Sequence, residues 1–226
     1  MNKPGQGRFL LLALFAGSGC AALIYELVWY QELQLAIGSQ SVCLGFLLAT
    51  FMGGLCLGSL ALPRYAAASG HHPLRVYAAL EAATGVLGLL VLFGMPLAER
   101  AFFAASSSGL SGMLLRGLLC AVCLLPPTIL MGASLPALVR WVESSPEGVA
   151  WWGLLYGGNI AGAVVGCLAA GFYFLRVYDM AVTTWVAVTI NFIVAAASWM
   201  MAAHSSGTVP QPSNAARKPA PRQLFG

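Results

Sequence analysis

Two glutamates stand inside apolar stretches of this sequence, where a charged side chain is unfavourable. Glu26 lies in the string ALIYELVW, beside Tyr25, and Glu81 lies in YAALEAAT. A carboxylate at the centre of a bilayer costs roughly 2.5–3.5 kcal/mol on insertion scales. Such residues usually face a cavity or a partner and serve ion or substrate pathways. Glu26 and Glu81 are therefore candidate binding residues, together with Tyr25 as the neighbour of Glu26.

The predicted depth of these residues leaves an alternative open for each. Glu26 lies four residues from the predicted outer end of the first helix, about 6 Å deep. It could also snorkel to the headgroups beside Tyr25, or stay neutral because of desolvation. Glu81 lies five residues into the third helix, and Asn159 lies equally far into the fifth from the same side. These two could meet as a substrate-binding pair or as an interhelical hydrogen bond, worth about 1 kcal/mol or less in lipid.

The fourth apolar segment contains Pro126 and Pro127 near its centre, followed by Gly132 and Pro136. Proline lacks the N–H that an α-helix uses, so at least one backbone carbonyl near mid-bilayer loses its donor. Breaks of this kind persist where the freed groups are buried in protein or line a polar cavity. We therefore predict a helix break that lines a cavity. The alternative is a kink for packing, in which Thr128 satisfies the backbone.

Glycines recur at every fourth position of the fifth segment, at Gly158, Gly162 and Gly166. The second segment offers a similar small surface at Gly54 and Gly58. Small residues let the backbones of neighbouring membrane helices approach closely. We expect these glycines to pack helices together within the chain, with dimerisation as the alternative.

Other reactive residue types lack the companions that their chemistry needs. Cys120 and Cys123 form a C-x-x-C pair inside an apolar run, without the second pair of a zinc site. The sequence has no Walker motif, no glycine-rich phosphate loop and no nucleophile with an adjacent base. We therefore expect no metal, no cofactor and no catalysis by this chain alone. The net charge is +4, but the basic residues form no cluster, so we expect no nucleic acid partner.

The composition indicates that these residues are positioned by membrane helices. Of the 226 residues, 59% are hydrophobic and 8% are charged, against about 25% charged in soluble domains. A hydrocarbon core about 30 Å thick needs about 20 helical residues to cross it. The sequence therefore predicts an all-α polytopic membrane helix bundle in a lipid bilayer, with one domain over residues 1–203. The six predicted helices cover residues 9–30, 41–62, 76–95, 117–139, 154–175 and 181–202.

The orientation follows from the flanking cations, because Lys and Arg are retained on the cytoplasmic side. Eight of the eleven Lys and Arg residues fall on the side of the N-terminus, and the other three are Arg100, Arg116 and Arg176. Both termini are therefore predicted to be cytoplasmic.

The ends of the helices and the segments between them carry further predictions. Tyr25, Trp29 and Tyr30 are expected to anchor the first helix at the outer interface. Residues 96–116 are too polar to span and are expected to form an interfacial helix or loop. The Pro-rich tail, residues 204–226, is expected to be disordered and cytoplasmic.

The chain carries four strings in this order: FAGSGCAALIYELVWYQELQLAIGSQSVCLGFLLATFMGGLCLGS, RVYAALEAATGVLGLL, LLPPTILMGASLPALVRWV and GLLYGGNIAGAVVGCLAAGFYFL. Together they resemble the membrane portion of spermidine-synthase-like proteins, often described as fused major-facilitator/spermidine-synthase proteins. The resemblance implies a multi-pass module of the bacterial inner membrane. Glu26, Glu81 and Asn159 match positions at which the family pattern has the same residue types. Gln31 departs from it, since the family usually has Arg there.

In the fused members, the resemblance implies a cytoplasmic aminopropyltransferase-like domain of Rossmann type after the membrane helices, and this sequence lacks such a domain. We therefore expect a membrane module that acts as a scaffold or small-solute conduit for a separately encoded, aminopropyltransferase-like partner. One alternative is a homodimeric facilitator-like transporter, in which Glu26 and Glu81 pair with the ammonium groups of polyamines. The other is a truncated family member without independent activity.

Overall fold

The computed structural model describes residues 4–69, 71–103, 110–142 and 148–204. These residues are almost entirely helical and contain no strand. Six helical stretches are long and apolar enough to cross a membrane, which confirms the predicted all-α bundle. The elements are α1 (Pro4–Ile37), α2 (Gln40–Ser69), α3 (Pro73–Phe103), α4 (Leu110–Val142), α5 (Gly148–Ala169), a π-helical turn (Ala170–Phe174), α6 (Leu175–Val177) and α7 (Met180–His204).

The helices extend beyond the apolar runs that predicted them. Helix α1 continues seven residues past position 30 and ends at Ile37, where Gly38 adopts a φ of +82°. Polar residues such as Gln31 and Glu32 end an apolar run, but they are good helix formers and do not end a helix. A glycine with positive φ does, because it allows the left-handed turn that follows a helix.

Helices α3 and α4 also extend into residues 96–116, for which an interfacial helix or loop is predicted. Helix α3 runs on to Phe103 with Pro96 inside it, and α4 begins at Leu110. Only residues 104–109 of that segment lie outside the described part of the chain. The tail from residue 205 onward, for which disorder was predicted, also lies outside it.

Helix α1 occupies the centre of the bundle. It packs against α5 on one side and against α7 on another, while α2 packs on α4 and α3 lies against both α4 and α7. Within its most apolar stretch 44% of α1 is buried, whereas the corresponding share of α5 is 17%. Helix α5 is therefore held mainly through α1 and leaves most of its surface to the surrounding lipid.

Candidate functional site

Glu81 lies deep in the bundle and is 3% exposed. Helix α3 begins at Pro73, three residues earlier than predicted, so Glu81 lies eight residues into the helix, about 12 Å along it. The hydroxyl of Ser18 on α1 donates a hydrogen bond to Oε1 of Glu81, with an oxygen–oxygen distance of 2.6 Å. The phenol of Tyr77, one turn earlier on α3, lies near the same carboxylate, although its oxygen makes no hydrogen bond within the described residues. Glu81 is thus a membrane-embedded carboxylate surrounded by hydroxyl groups.

A small cavity adjoins this carboxylate at the junction of α1, α3, α4 and α7. The cavity volume is about 10 Å³, which is room for about one water molecule or a group of similar size. Polar atoms make up a large part of its wall, unlike the dry apolar voids of ordinary cores. Its lining residues are Ser18, Ala22, Glu81, Thr84, Met131 and Asn191.

Asn191 carries an unsatisfied polar atom at this cavity. It lies on α7, is 2% exposed and lines the cavity, and its Oδ1 has no hydrogen-bond partner among the described residues. An unsatisfied buried polar group costs about 1–3 kcal/mol. A water molecule, an ammonium group or a metal cation in the cavity would satisfy this amide oxygen. The geometry therefore combines a carboxylate and a neutral oxygen acceptor around a space of one small ligand.

Tyr25 lies in the core of the bundle and not at the outer interface. Its side chain is 0% exposed and stacks on Trp29, with ring centroids 5.3 Å apart. The ring packs against Gly88 of α3, and its hydroxyl oxygen has no partner among the described residues. The prediction that Tyr25, Trp29 and Tyr30 anchor the outer end of the helix was wrong for Tyr25 and Trp29, because α1 continues to Ile37 and both rings are buried. Tyr30 is partly buried.

Glu26 is displaced from its predicted depth for the same reason. It lies eleven residues before Ile37, about 16 Å from that end of the helix and not about 6 Å. Its side chain is partly buried. A glutamate this far from either end of α1 has a longer way to the headgroups than the snorkelling alternative assumed.

Asn159 and Glu81 hydrogen-bond to α1 and not to each other, so the predicted pair was wrong. The Nδ2 of Asn159 donates to the backbone carbonyl of Phe15, with a distance of 2.9 Å, and Gly19 lies directly against Asn159. Asn159 therefore fastens α5 to α1 and does not line the polar cavity.

The glycines of α5 face α1. Gly162 lies against the backbone of Ala16 and Gly166 against that of Cys20, so a Cβ atom at either position would clash, whereas Gly158 lies against the side chain of Leu12. The partner residues on α1 are spaced by four, as are the glycines. The small surface of α5 is thus used inside the chain, which is the packing role expected from its sequence.

The glycines of α2 do the same against α4. A Cβ atom at Gly54 would overlap Thr128, and one at Gly58 would overlap the backbone of Ile129. In the reverse direction, Gly132 of α4 lies against the backbone of Leu55 on α2. The stretch of α4 that follows the two prolines is therefore a packing surface for α2.

Helix α4 passes through Pro126, Pro127 and Pro136 without interruption, so the predicted break is not a gap in the helix. The hydroxyl of Thr128 lies 3.0 Å and 2.9 Å from the carbonyl oxygens of Leu124 and Leu125. Pro126 and Pro127 instead leave the carbonyls of Val122 and Cys123, four residues earlier, without a donor. Thr128 therefore does not satisfy the carbonyls that the prolines free. None of the four predicted break residues lines the cavity at Glu81; Met131 is the α4 residue that does.

Three polar residues of the cavity were missed by the sequence prediction: Ser18, Thr84 and Asn191. Asn191 stands alone in an apolar run, TWVAVTINFIV, which is the same signal that singled out Asn159. Ser18 and Thr84 gave no such signal, since serine and threonine are common in membrane helices and often bond their own backbone.

Comparison with known proteins adds no relative of this chain. No protein-family model, no curated protein and no solved structure matches it. The resemblance to spermidine-synthase-like proteins therefore stays a prediction.

Proposed function

We propose that this protein is a membrane-embedded conduit for a small cation or a small cationic solute, with its binding site at Glu81. The observation that carries the proposal is the unsatisfied Oδ1 of Asn191, buried beside the Glu81 carboxylate at the same cavity. A carboxylate and an unsatisfied amide oxygen, on two residues that line one small space, suit a ligand that is positively charged or donates hydrogen bonds. Buried ionisable groups in membrane helices commonly mark ion and substrate pathways.

The size of the cavity narrows the ligand class. A space for about one water molecule accommodates a dehydrated monovalent cation or a single ammonium group. The terminal ammonium of a polyamine also matches this size, but the rest of its chain requires the helices to separate.

Isothermal titration calorimetry of the purified protein in nanodiscs tests the site directly. Sodium and methylammonium are titrated separately, so that a metal cation and an amine are distinguished, and choline serves as a cation too large for the cavity. We expect saturable binding of at least one small cation. We expect Glu81→Gln to weaken binding roughly 10- to 100-fold, because interactions with a charged acceptor contribute about 1.5–3 kcal/mol.

Two matched substitutions control for general effects of removing polar atoms. Ser59 is exposed on α2 and bonds only its own helix, at the carbonyl of Cys56; Thr189 is exposed on α7 and bonds the carbonyl of Trp185. Ser59→Ala and Thr189→Val should bind like the wild-type protein. Absence of binding for both cations, or equal binding by Glu81→Gln, would refute the proposal.

For the cellular setting we propose the bacterial inner membrane, with both termini in the cytoplasm. The excess of Lys and Arg on that side supports this orientation.

A scaffold role for a cytoplasmic aminopropyltransferase-like partner rests on the sequence resemblance alone. Co-purification from mild detergent would identify such a partner.

A further inference from the structure

A second carboxylate lies on the same line of α1 as the cavity. Ser18, Ala22 and Glu26 are spaced by four residues, so they follow one another along one side of the helix. Ser18 bonds Glu81, and Ala22 forms part of the cavity wall. Glu26 is the next residue on this line, eight residues after Ser18 and about 12 Å further along the axis.

The direction of helical side chains brings Glu26 back toward the cavity. Each Cα–Cβ bond in an α-helix tilts toward the N-terminus, so a side chain covers the turn that precedes its own Cα. For Glu26 that turn contains Ala22. Its partial burial is consistent with a carboxylate that lies along the bundle and does not extend freely into lipid.

An unpartnered hydroxyl belongs to Tyr25, the residue before Glu26. The buried phenol oxygen of Tyr25 has no partner among the described residues, and its ring packs against Gly88. Gly88 is seven residues after Glu81 on α3, about 10 Å along the axis. Tyr25 therefore presents a second unsatisfied oxygen, on the side of the Glu81 cavity toward Glu26.

We infer that Tyr25 and Glu26 form a second binding position for the cation, through which the cation moves to or from the Glu81 site. This inference rests on the proposed function. The two carboxylates are staged along the helix axis, so the cation keeps an oppositely charged partner across the middle of the bilayer, where an unpaired charge is most unfavourable. Tyr25 supplies a neutral oxygen at this second position, as Asn191 does at the Glu81 site.

The test separates binding from movement. Uptake of radiolabelled sodium and of labelled methylammonium is measured in separate proteoliposome preparations, with empty liposomes subtracted, and binding is measured by calorimetry as above. Glu26→Gln should bind the cation within about twofold of the wild-type affinity but transport it roughly tenfold more slowly. Tyr25→Phe, which removes only the hydroxyl, should lower the rate by a smaller factor, and Glu26→Asp should restore most of it.

Filling the cavity with a larger side chain provides a second test with its own control. Ala22→Leu should obstruct the cavity and abolish both binding and transport, whereas Ala13→Leu, at an exposed position of the same helix, should change neither. Wild-type rates for Glu26→Gln would overturn the inference and leave the Glu81 site intact. Loss of binding in Glu26→Gln would also overturn it, because Glu26 would then belong to the first site. A wild-type protein that binds neither cation would overturn both proposals.

Discussion

Toward α5, helix α1 presents Ala16, Gly19 and Cys20, whose backbone atoms lie directly against α5. Toward α3 and α7 the same helix presents Ser18 and Ala22, which line the cavity, and Tyr25, whose hydroxyl has no partner among the described residues. The side toward α5 is close-packed, and the side toward α3 and α7 borders a cavity. Both sides arise from one helix, so the difference lies in the chemistry of a few side chains and not in the fold.

Two asparagines in membrane helices show this difference most clearly. Asn159 donates to the carbonyl of Phe15 across the α1–α5 contact, which is a structural hydrogen bond. The Oδ1 of Asn191 is left without a partner beside Glu81. Residues kept for function often reduce stability, whereas residues kept for packing contribute to it. Stability measurements on the two sides of α1 should therefore change in opposite directions.

The largest effect is expected at the close-packed side. Gly162→Ala places a methyl group against the backbone of Ala16, and since neither backbone can move aside without separating the helices, we expect a loss of about 2–3 kcal/mol or more. SDS-induced unfolding in mixed micelles measures it. Gly157→Ala, on the same helix with nothing within 4 Å of the added atom, is the control and should be neutral or slightly stabilising. Equal stability of the two variants would contradict the close contact between α1 and α5.

At the cavity side, removing the unsatisfied polar group should not weaken the fold. Asn191→Leu keeps the branching of the side chain and removes an amide oxygen that has no partner. We expect the free energy of unfolding to stay the same or to rise by about 1 kcal/mol, while cation binding is lost. A clear fall in stability, with binding retained, would show that the amide is structural.

The smallest effect is expected for the matched change at Asn159. Asn159→Leu removes the hydrogen bond to Phe15, and double-mutant measurements on membrane helices put such bonds at about 0.6 kcal/mol on average. We expect stability to fall by about that amount, with cation binding unchanged. A rise in stability would remove the contrast between the two asparagines, and a loss of binding would extend the functional site across α1.

Much of this arrangement is predictable from single positions in the sequence. Glu81 was identified because a carboxylate in an apolar run needs a partner, and the glycines of α5 because their spacing of four forms a flat surface. The ends of the helices were less predictable, since α1 continues through Gln31 and Glu32 to Gly38. That error of seven residues misplaced Glu26 and turned Tyr25 and Trp29 from core residues into supposed interface anchors.

The membrane bundle is predictable from the amino-acid sequence, because an apolar run of about 20 residues in lipid must satisfy its backbone within one helix. Glu81 is also predictable as a buried polar residue, since a carboxylate in an apolar run is conspicuous in a chain with so few charges. The residues that share a site with Glu81 are set by the tertiary structure. Partners across a bundle depend on which helices are neighbours and on how each is rotated, and a shift of one residue turns a side chain by about 100°. Glu81 therefore lies with Ser18 and Asn191 and not with Asn159, although all four stand in similar apolar surroundings in the sequence.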